Sequence, residues 1–513
     1  MALHTTDSQQ TEMPHSKRAV WLTVSLFLFI ILDIGLLLFG LSDPFGGFHG
    51  LNEVWYSTVA RNYESHSLLM PTYEGMLDLY IPPLLSYLVC ASFRVLGETE
   101  LAARLVPVAF ALLSVVGVYL LGRTLLRKDV GLEAASLYSS TPIFLLVGRN
   151  VQTEILFVSL SIFALYFYVR TNRRGKRLDA FVAGLLLGAA LFSKQFAIVM
   201  FGAIVVWELL GKERSRLIKS EFLLFVLGAG LVLAPFYGYH LLRDPGYLLH
   251  TQLGGSARMA GIASGLTLSL LLSEMFWGCS PLFLIGALAG LSLTLFRLDR
   301  HKLLIVLSVA AYFSFYLFLH KHSYYFFGMV PFLSLCFTNL SERIPRKLYL
   351  AVLIITLATA TLLSAYQLAG CKYGFGEFKR AGEYLACRRE PIVMGDQAFY
   401  NNDAPLLTYY GGDITFILRD SGPSQKEKLA RADKVFYLSE LPLVGSRAEI
   451  FPVTGIRYGL KLGDRIYVHV PLNIHFFTPL PPTILEDCEI IGSFGPFVKL
   501  QQTSFYLIAG PAR

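Results

Sequence analysis

Runs of apolar residues long enough to cross a bilayer recur along most of this chain, and they limit its fold more than any other feature. The first lies at 21–40, and others follow near 101–122, 132–148, 153–169, 179–193, 196–210, 221–240, 270–296, 303–319, 324–340 and 348–369. A helix needs about 20 predominantly apolar residues to cross a hydrocarbon layer of about 30 Å, so the pattern predicts about eleven transmembrane helices. Composition agrees: 54% of the 513 residues are hydrophobic and only 16% charged, which excludes an ordinary soluble globular protein. The first run follows a polar stretch ending in Lys17-Arg18 and has no small-residue cleavage site after it, so it reads as a retained helix.

The 44 Lys and Arg give a formal charge of +8, a balance that could suggest nucleic-acid binding. Before the tail they sit mostly in short connections between apolar runs, with no continuous basic face for a phosphodiester backbone, so no nucleic-acid partner is expected. With a cytoplasmic amino terminus, the segments 1–19, 123–128, 170–177, 212–219, 297–302 and 343–347 carry 20 Lys and Arg, against seven or eight on the opposite side. That asymmetry predicts a multi-pass cell-membrane protein with its amino terminus inside. An odd number of spans then leaves the tail outside.

Three regions follow: a cytoplasmic tail at 1–19, a transmembrane domain at 20–369 and an extracytoplasmic soluble domain at 370–513. The last has 16 Lys and Arg against 15 Asp and Glu, and short β-rich runs such as Ile392-Val-Met, Lys434-Val-Phe-Tyr-Leu and Arg465-Ile-Tyr-Val-His-Val, as in a small α/β domain. The six cysteines form no CxxC or Cys/His cluster, which disfavours a metal-thiolate site. Cys371 and Cys387 could pair as a disulfide or stay free, and the sequence leaves both open. No GxxxxGK[ST] loop is present, against an ATP-driven pump.

Between the first two spans lie 42–99, too many residues for a turn and too amphipathic for a linker. Leu51, Val54, Trp55, Tyr56 and Val59 fit the apolar stripe of a helix lying on the membrane surface and beginning near Asn52. Glu53 would fall in its first turn, where the helix dipole favours a carboxylate.

Here the order of motifs becomes informative. Glu53-Val-Trp-Tyr with Ala60-Arg61-Asn62 is followed by Pro82-Pro83-Leu-Leu-x-Tyr and by Gly97-x-x-Glu-Leu-Ala-Ala-Arg-Leu105. Then come Arg149-Asn-Val-Gln-Thr-Glu154, Phe192-Ser-Lys194 and Lys321-His-Ser-Tyr-Tyr325. In this order, and all on the expected outer side, they resemble the polytopic C-type (GT-C) glycosyltransferases, in the branch holding protein O-mannosyltransferases and the aminoarabinose transferases acting on lipid A. The resemblance covers about 20–340. It implies an α-helical polytopic membrane fold with amphipathic outer-loop helices, and an inverting transfer of one sugar from a polyprenyl (dolichyl or undecaprenyl) phosphate to a protein, glycan or lipid acceptor on the extracytoplasmic face.

Members usually carry Asp-Glu in the first loop, the Asp being the catalytic base. This chain has Asn52-Glu53 instead. Either Glu53 serves as base one position along, or Asn52 marks an altered or lost activity. The chemistry needs a carboxylate to take the acceptor proton, for which Glu53 comes first and Glu154, matching the family's second carboxylate, comes next. It also needs fixed cations at the leaving phosphate, which Arg149, Lys194, Lys321 and His322 could supply. Trp55, Tyr56 and Tyr325 are candidate substrate contacts.

Each residue also has a structural reading. Glu53 could be only a first-turn carboxylate, and Glu154 only a partner of Arg149. Lys194 could be snorkelling at a helix end, Lys321 and His322 could be interface residues, and the aromatic side chains could belong to a membrane-interface belt. No cofactor is assigned; the resemblance leaves open a divalent metal, held in some relatives by a first-loop acid, a later His and a Tyr, for which Asp78 or Glu74, His240 or His250 and Tyr325 are conceivable, although Tyr80 stands where that acid would be expected and a required zinc is disfavoured. A secondary transporter or lipid flippase is the alternative, disfavoured because the ionisable groups gather at outer helix ends and not at midplane. An oligosaccharyltransferase ranks lower, since all four Trp precede residue 280 and the tail lacks a Trp-Trp-Asp motif. Sugar, acceptor and oligomeric state are not legible.

Overall fold

The computed structural model describes residues 15–45, 50–65, 67–73, 75–127, 130–211, 218–252, 268–318 and 324–370, and in the tail 377–387, 392–395, 404–412, 415–418, 435–439, 449–462, 465–469, 477–479, 488–494 and 497–510. Apolar runs become helices because only a helix satisfies every backbone donor and acceptor within the segment. The first ten are α1 (His15–Leu38), α2 (Gly50–Asn62), α3 (Leu84–Leu96), α4 (Glu100–Leu125), α5 (Val130–Ser139), α6 (Pro142–Arg149), α7 (Thr153–Arg174), α8 (Arg177–Ser193), α9 (Ile198–Leu209) and α10 (Ser220–Arg243). Helices Leu268–Cys279, Pro281–Phe296, Arg300–Phe318, Val330–Thr338 and Arg346–Gly370 complete this part.

A helix or pair of helices stands over each apolar run, but eleven uniform spans do not result. Among the described residues, four helices are long and apolar enough to cross a membrane, or six segments if each bent pair counts as one. The run at 132–148, expected as one span, is α5 and α6 meeting at 69°. The break follows from Ser139-Ser140-Thr141 and from Pro142, which opens α6 but cannot continue α5. The run at 270–296 bends by 103° at Ser280, whose φ of 73° is left-handed, with Pro281 opening the next helix. At 324–340 a 3-10 turn, Tyr325–Met329, precedes a helix of only nine residues.

Polar side chains fasten the bends. Asp33 of α1 accepts hydrogen bonds from Ser139 and Ser140 (both 2.8 Å) and from Thr361 (2.9 Å), joining α1 to the α5–α6 break and to Arg346–Gly370. Tyr349 donates to Glu133 at 2.6 Å. Asn339 is buried and donates to Thr294 at 2.7 Å. Small residues bring α8 and α10 close: a Cβ at Gly184 would lie 2.0 Å from the Phe225 carbonyl oxygen.

In the first loop, α2 begins at Gly50, two residues before Asn52. Its apolar face does not lie open as a membrane-surface helix would: Val54, Tyr56, Val59 and Ala60 are buried within the protein, and α2 packs against α3 and against a tail helix, Ala404–Gly411. A hairpin follows, β1 (Thr72–Tyr73) and β2 (Met76–Leu77), paired antiparallel with Thr72 opposite Leu77. Its two-residue turn uses Gly75 at φ +75°, a conformation that favours glycine.

The tail contributes helices Glu377–Ala386 and Ala404–Gly411 and strands β3 (Ile392–Gly395), β4 (Thr415–Leu418), β5 (Val435–Ser439), β6 (Glu449–Leu462), β7 (Arg465–His469), β8 (Phe477–Pro479), β9 (Cys488–Phe494) and β10 (Phe497–Gly510). They form one mixed sheet in the order β4-β3-β5-β10-β6-β7-β8, with β9 also on β10. β3 runs parallel to both β4 and β5, and the other pairs are antiparallel. Cys371 lies outside the described residues, so its pairing with exposed Cys387 is not described.

Candidate active site

The first turn of α2 aims two neighbouring side chains in different directions. Glu53 is fully buried and paired with Arg104 of α4: Nε donates to Oε1 and Nη2 to Oε2, both at 2.8 Å. The Val151 amide donates to Oε1 as well, at 3.2 Å. Arg104 also donates to the carbonyls of Leu41 (2.9 Å), Asp43 and Pro44 (3.3 Å). This fork-to-fork pair ties together α2, α4, the end of the first span and the α6–α7 connection. Both carboxylate oxygens of Glu53 are thereby engaged.

Asn52 points elsewhere, its amide donating to the Tyr324 hydroxyl at 3.4 Å. Glu154, in the first turn of α7, is buried and forms an ion pair with Lys194. The Thr153 hydroxyl donates to Glu154 Oε2 at 3.4 Å and lies 3.5 Å from the Tyr56 hydroxyl. The Lys194 ammonium is lodged among three rings, 4.6 Å from the Tyr325 centroid, 4.8 Å from Phe196 and 5.6 Å from Tyr324. Burial lowers the pKa of Lys194 from its ordinary value, and the Glu154 charge opposes that shift. Burial, then the charge of Glu154, raises the Tyr56 phenol well above its ordinary value, with Asp78 adding to the effect.

A second group lies beside this one. Asp78, just after β2, accepts from the Trp55 indole at 2.7 Å and from the Tyr80 amide at 3.1 Å. Trp55 stacks on Tyr73, centroids 4.9 Å apart, and lies 6.4 Å from Tyr80. Gln195 donates to the Tyr80 carbonyl at 3.2 Å and to Gln252 Oε1 at 2.6 Å, while Gln252 bonds the Leu79 carbonyl. The Asp78 segment is thus tied to the residue next to Lys194.

The expected site residues therefore divide. Asn52, Tyr56, Glu154, Lys194 and Tyr325 come together, and Trp55 faces the adjoining Asp78 group. Glu53 belongs to the clamp with Arg104. Arg149 donates to the Gly40 carbonyl at 3.1 Å, tying the end of α6 to the first span. Lys321 and His322 lie outside the described residues. Sequence reasoning gave Arg104 no role, although it lies within the quoted Gly97-to-Leu105 motif, and missed Thr153, which directly precedes Glu154. The sequence offered Asp78 only as a conceivable metal ligand, not as part of a hydrogen-bonded group with Trp55 and Tyr80.

No three His, Cys, Asp or Glu side chains converge to hold an ion among the described residues. His240, buried on α10, is 2.8 Å from the Leu69 carbonyl oxygen, and Asp78 is engaged by Trp55 and Tyr80. Glu74 lies outside the described residues.

The helical bundle thus carries a polar cluster where the first long loop meets the start of α7 and the end of α8. Residues 81–239 match the family model of dolichyl-phosphate-mannose-protein mannosyltransferase. ArnT from Cupriavidus metallidurans, in a crystal structure bound to undecaprenyl phosphate, superposes with a TM-score of 0.66 at 12% identity, over 93% of this chain and 98% of that one. The archaeal oligosaccharyltransferase AglB from Archaeoglobus fulgidus, in complex with an inhibitory peptide and a dolichol-phosphate, gives 0.55 at 12% identity, over 83% and 70%. An uncharacterized protein of Aquifex aeolicus is 25% identical over 204 residues, 39% of this chain and 40% of its own length. The resemblance to the C-type glycosyltransferases read from the sequence motifs holds in the fold.

Proposed function

We propose that this protein is an inverting glycosyltransferase that moves a single sugar from a polyprenyl phosphate to a protein, glycan or lipid acceptor on the extracytoplasmic face. The observation that carries the reading is the Lys194–Glu154 pair, buried under Phe196, Tyr324 and Tyr325 beside Asn52. A buried ammonium is costly unless paired, and here it is kept where the first outer loop meets the helix ends. A leaving lipid phosphate needs such a fixed cation, because it departs as an anion. ArnT, whose fold extends over nearly all of this chain, was crystallised with undecaprenyl phosphate.

In this reading Lys194 meets the departing phosphate and Glu154 positions the ammonium, while Glu53 and Arg104 hold α2 in place. The acceptor oxygen attacks the anomeric carbon opposite the phosphate, which inverts the configuration. The reading is tested with purified protein in detergent, radiolabelled polyprenyl-phosphate sugars and a membrane-extract acceptor pool. Wild type is expected to transfer label. Lys194→Met is expected to bind undecaprenyl phosphate about 10- to 100-fold more weakly, the loss of one charge-assisted hydrogen bond, and to transfer little. A wild type that neither binds the lipid phosphate nor transfers any of several sugars would return the chain to the transporter or flippase alternative.

A further inference from the structure

The first outer loop and the helix end facing it place three carboxylates around the cluster, and they differ in what holds them. Glu53 has both oxygens on the Arg104 guanidinium. Glu154 is paired with the Lys194 ammonium. Asp78 is held, among the described residues, by two neutral donors, the Trp55 indole N–H and the Tyr80 backbone N–H. A carboxylate clamped by a cation is a weak proton acceptor, because protonation must break the ion pair. One held in place by neutral hydrogen bonds keeps its basicity and its orientation together. We propose that Asp78 is the catalytic base of the transfer, taking the proton from the acceptor hydroxyl.

This assignment rests on the glycosyltransferase reading and adds to it the residue that acts on the acceptor. The surroundings suit a hydroxyl-bearing substrate. Asp78, Trp55, Tyr73 and Tyr80 are all partly open to solvent, and stacked Trp55 and Tyr73 offer flat apolar faces beside the carboxylate. The hairpin sets the position: the Asp78 amide donates to the Pro71 carbonyl at 2.7 Å, and Asn62 at the end of α2 donates to the Thr72 carbonyl at 2.8 Å. Through Gln195 the same segment is fixed to the turn carrying Lys194. Base and phosphate-binding cation are therefore held by one bonded framework, which the displacement requires.

The step balances. The acceptor O–H bond breaks, with its proton passing to a carboxylate oxygen of Asp78. The acceptor oxygen forms its bond to the anomeric carbon, and the bond from that carbon to the phosphate oxygen breaks, its electron pair leaving with the polyprenyl phosphate at Lys194. Asp78 later gives the proton to water.

Asp78 must be ionised to act, so transfer falls as the pH drops through its pKa. Burial raises that pKa above the ordinary aspartate value, the bonds from Trp55 and Tyr80 opposing it. The groups facing Asp78 are phenols: Tyr56 of α2, Tyr63 just after it and Tyr247 after α10, each pushed up by the Asp78 charge in addition to its own burial. Arg243 on α10 is directed to Tyr239 and Met70, and the ammonium of Lys194 is paired with Glu154. The acid limb of the rate should therefore lie above the range in which an exposed aspartate titrates.

The test compares wild type with Asp78→Ala and Asp78→Glu for transfer rate, for binding of undecaprenyl phosphate and for rescue by added formate. The alanine variant is expected to lose transfer by about 10²- to 10⁴-fold, the usual contribution of a general base. It should keep lipid-phosphate binding within about twofold and regain transfer in formate, with an acid limb that follows formate. Asp78→Glu is expected to retain part of the rate. An active Asp78→Ala beside an active wild type overturns the assignment of the base alone. So does an Asp78→Ala that loses transfer and lipid-phosphate binding together and is not rescued by formate, since that marks a structural residue. A wild type that transfers no sugar overturns the glycosyltransferase reading, and this proposal with it.

Discussion

Glu53 and Arg104 show how a residue's partner decides what it can do. Their side chains are 0% and 3% exposed, and both carboxylate oxygens and the guanidinium fork are used. Removing one partner of a buried pair strands the other charge, at a cost of about 3–5 kcal/mol. Glu53→Gln is therefore expected to lower the Tm of the detergent-solubilised protein markedly, and Glu53→Leu combined with Arg104→Met to recover a large part of the loss. A base at position 53 gives the opposite pattern: Glu53→Gln would keep its Tm and lose turnover. One thermal scan beside one transfer assay separates the two roles.

At the scale of elements, close packing of α8 on α10 requires small residues. A Cβ at Gly184 would meet the Phe225 carbonyl oxygen at 2.0 Å, and one at Gly228 the Phe181 carbonyl oxygen at 2.6 Å, whereas nothing lies within 4 Å of one at Gly202. Backbone cannot swing aside as a flexible side chain can. Gly184→Val is expected to cost at least the ~1–3 kcal/mol typical of overpacking, seen as a lower Tm and reduced folded yield, and Gly202→Ala to leave both nearly unchanged. Helical elements like these were legible in the sequence because each coincides with an apolar run. Their breaks were not, since Ser139-Ser140-Thr141 and Ser280 are too few polar residues to divide a hydropathy window. The site was legible where a motif placed a charge at a helix end, as at Glu154 and Lys194. The burial of α2 and the Trp55–Asp78 bond were not, because they depend on a tail helix some 350 residues away and on a hairpin fold that no periodicity announces.

For the whole molecule, the tail helices and the loop after α1 share one face. Lys379 pairs with Glu100 at 2.8 Å, Tyr410 donates to Glu100 at 3.1 Å, and the Phe45 amide donates to the Tyr410 hydroxyl at 2.7 Å. Arg61 lies 4.1 Å over the Tyr409 ring. Whatever side of the membrane the loop occupies, the tail helices occupy it too. Helix α8 runs from Arg177 to Ser193, beside Lys194, so Leu178 lies one helix length, about 24 Å, from the site. The proposed reading, resting on the charge asymmetry of the connections, has the loop outside and the start of α8 inside. Cys387 is exposed on the tail, whereas Cys90, Cys279 and Cys336 are buried. After reduction, a membrane-impermeant maleimide applied to intact cells is accordingly expected to label Cys387, which is free and exposed. In a background with Cys371, Cys387 and Cys488 all changed to Ser it should label Val95→Cys, at an 80% exposed position at the end of α3, and should reach Leu178→Cys, at a 70% exposed position, only after permeabilisation. Labelling of Leu178→Cys but not Val95→Cys in intact cells would reverse the orientation and move the proposed reaction to the cytoplasmic face. The tail would move with it, because the Glu100, Phe45 and Arg61 contacts bind tail and loop to one side.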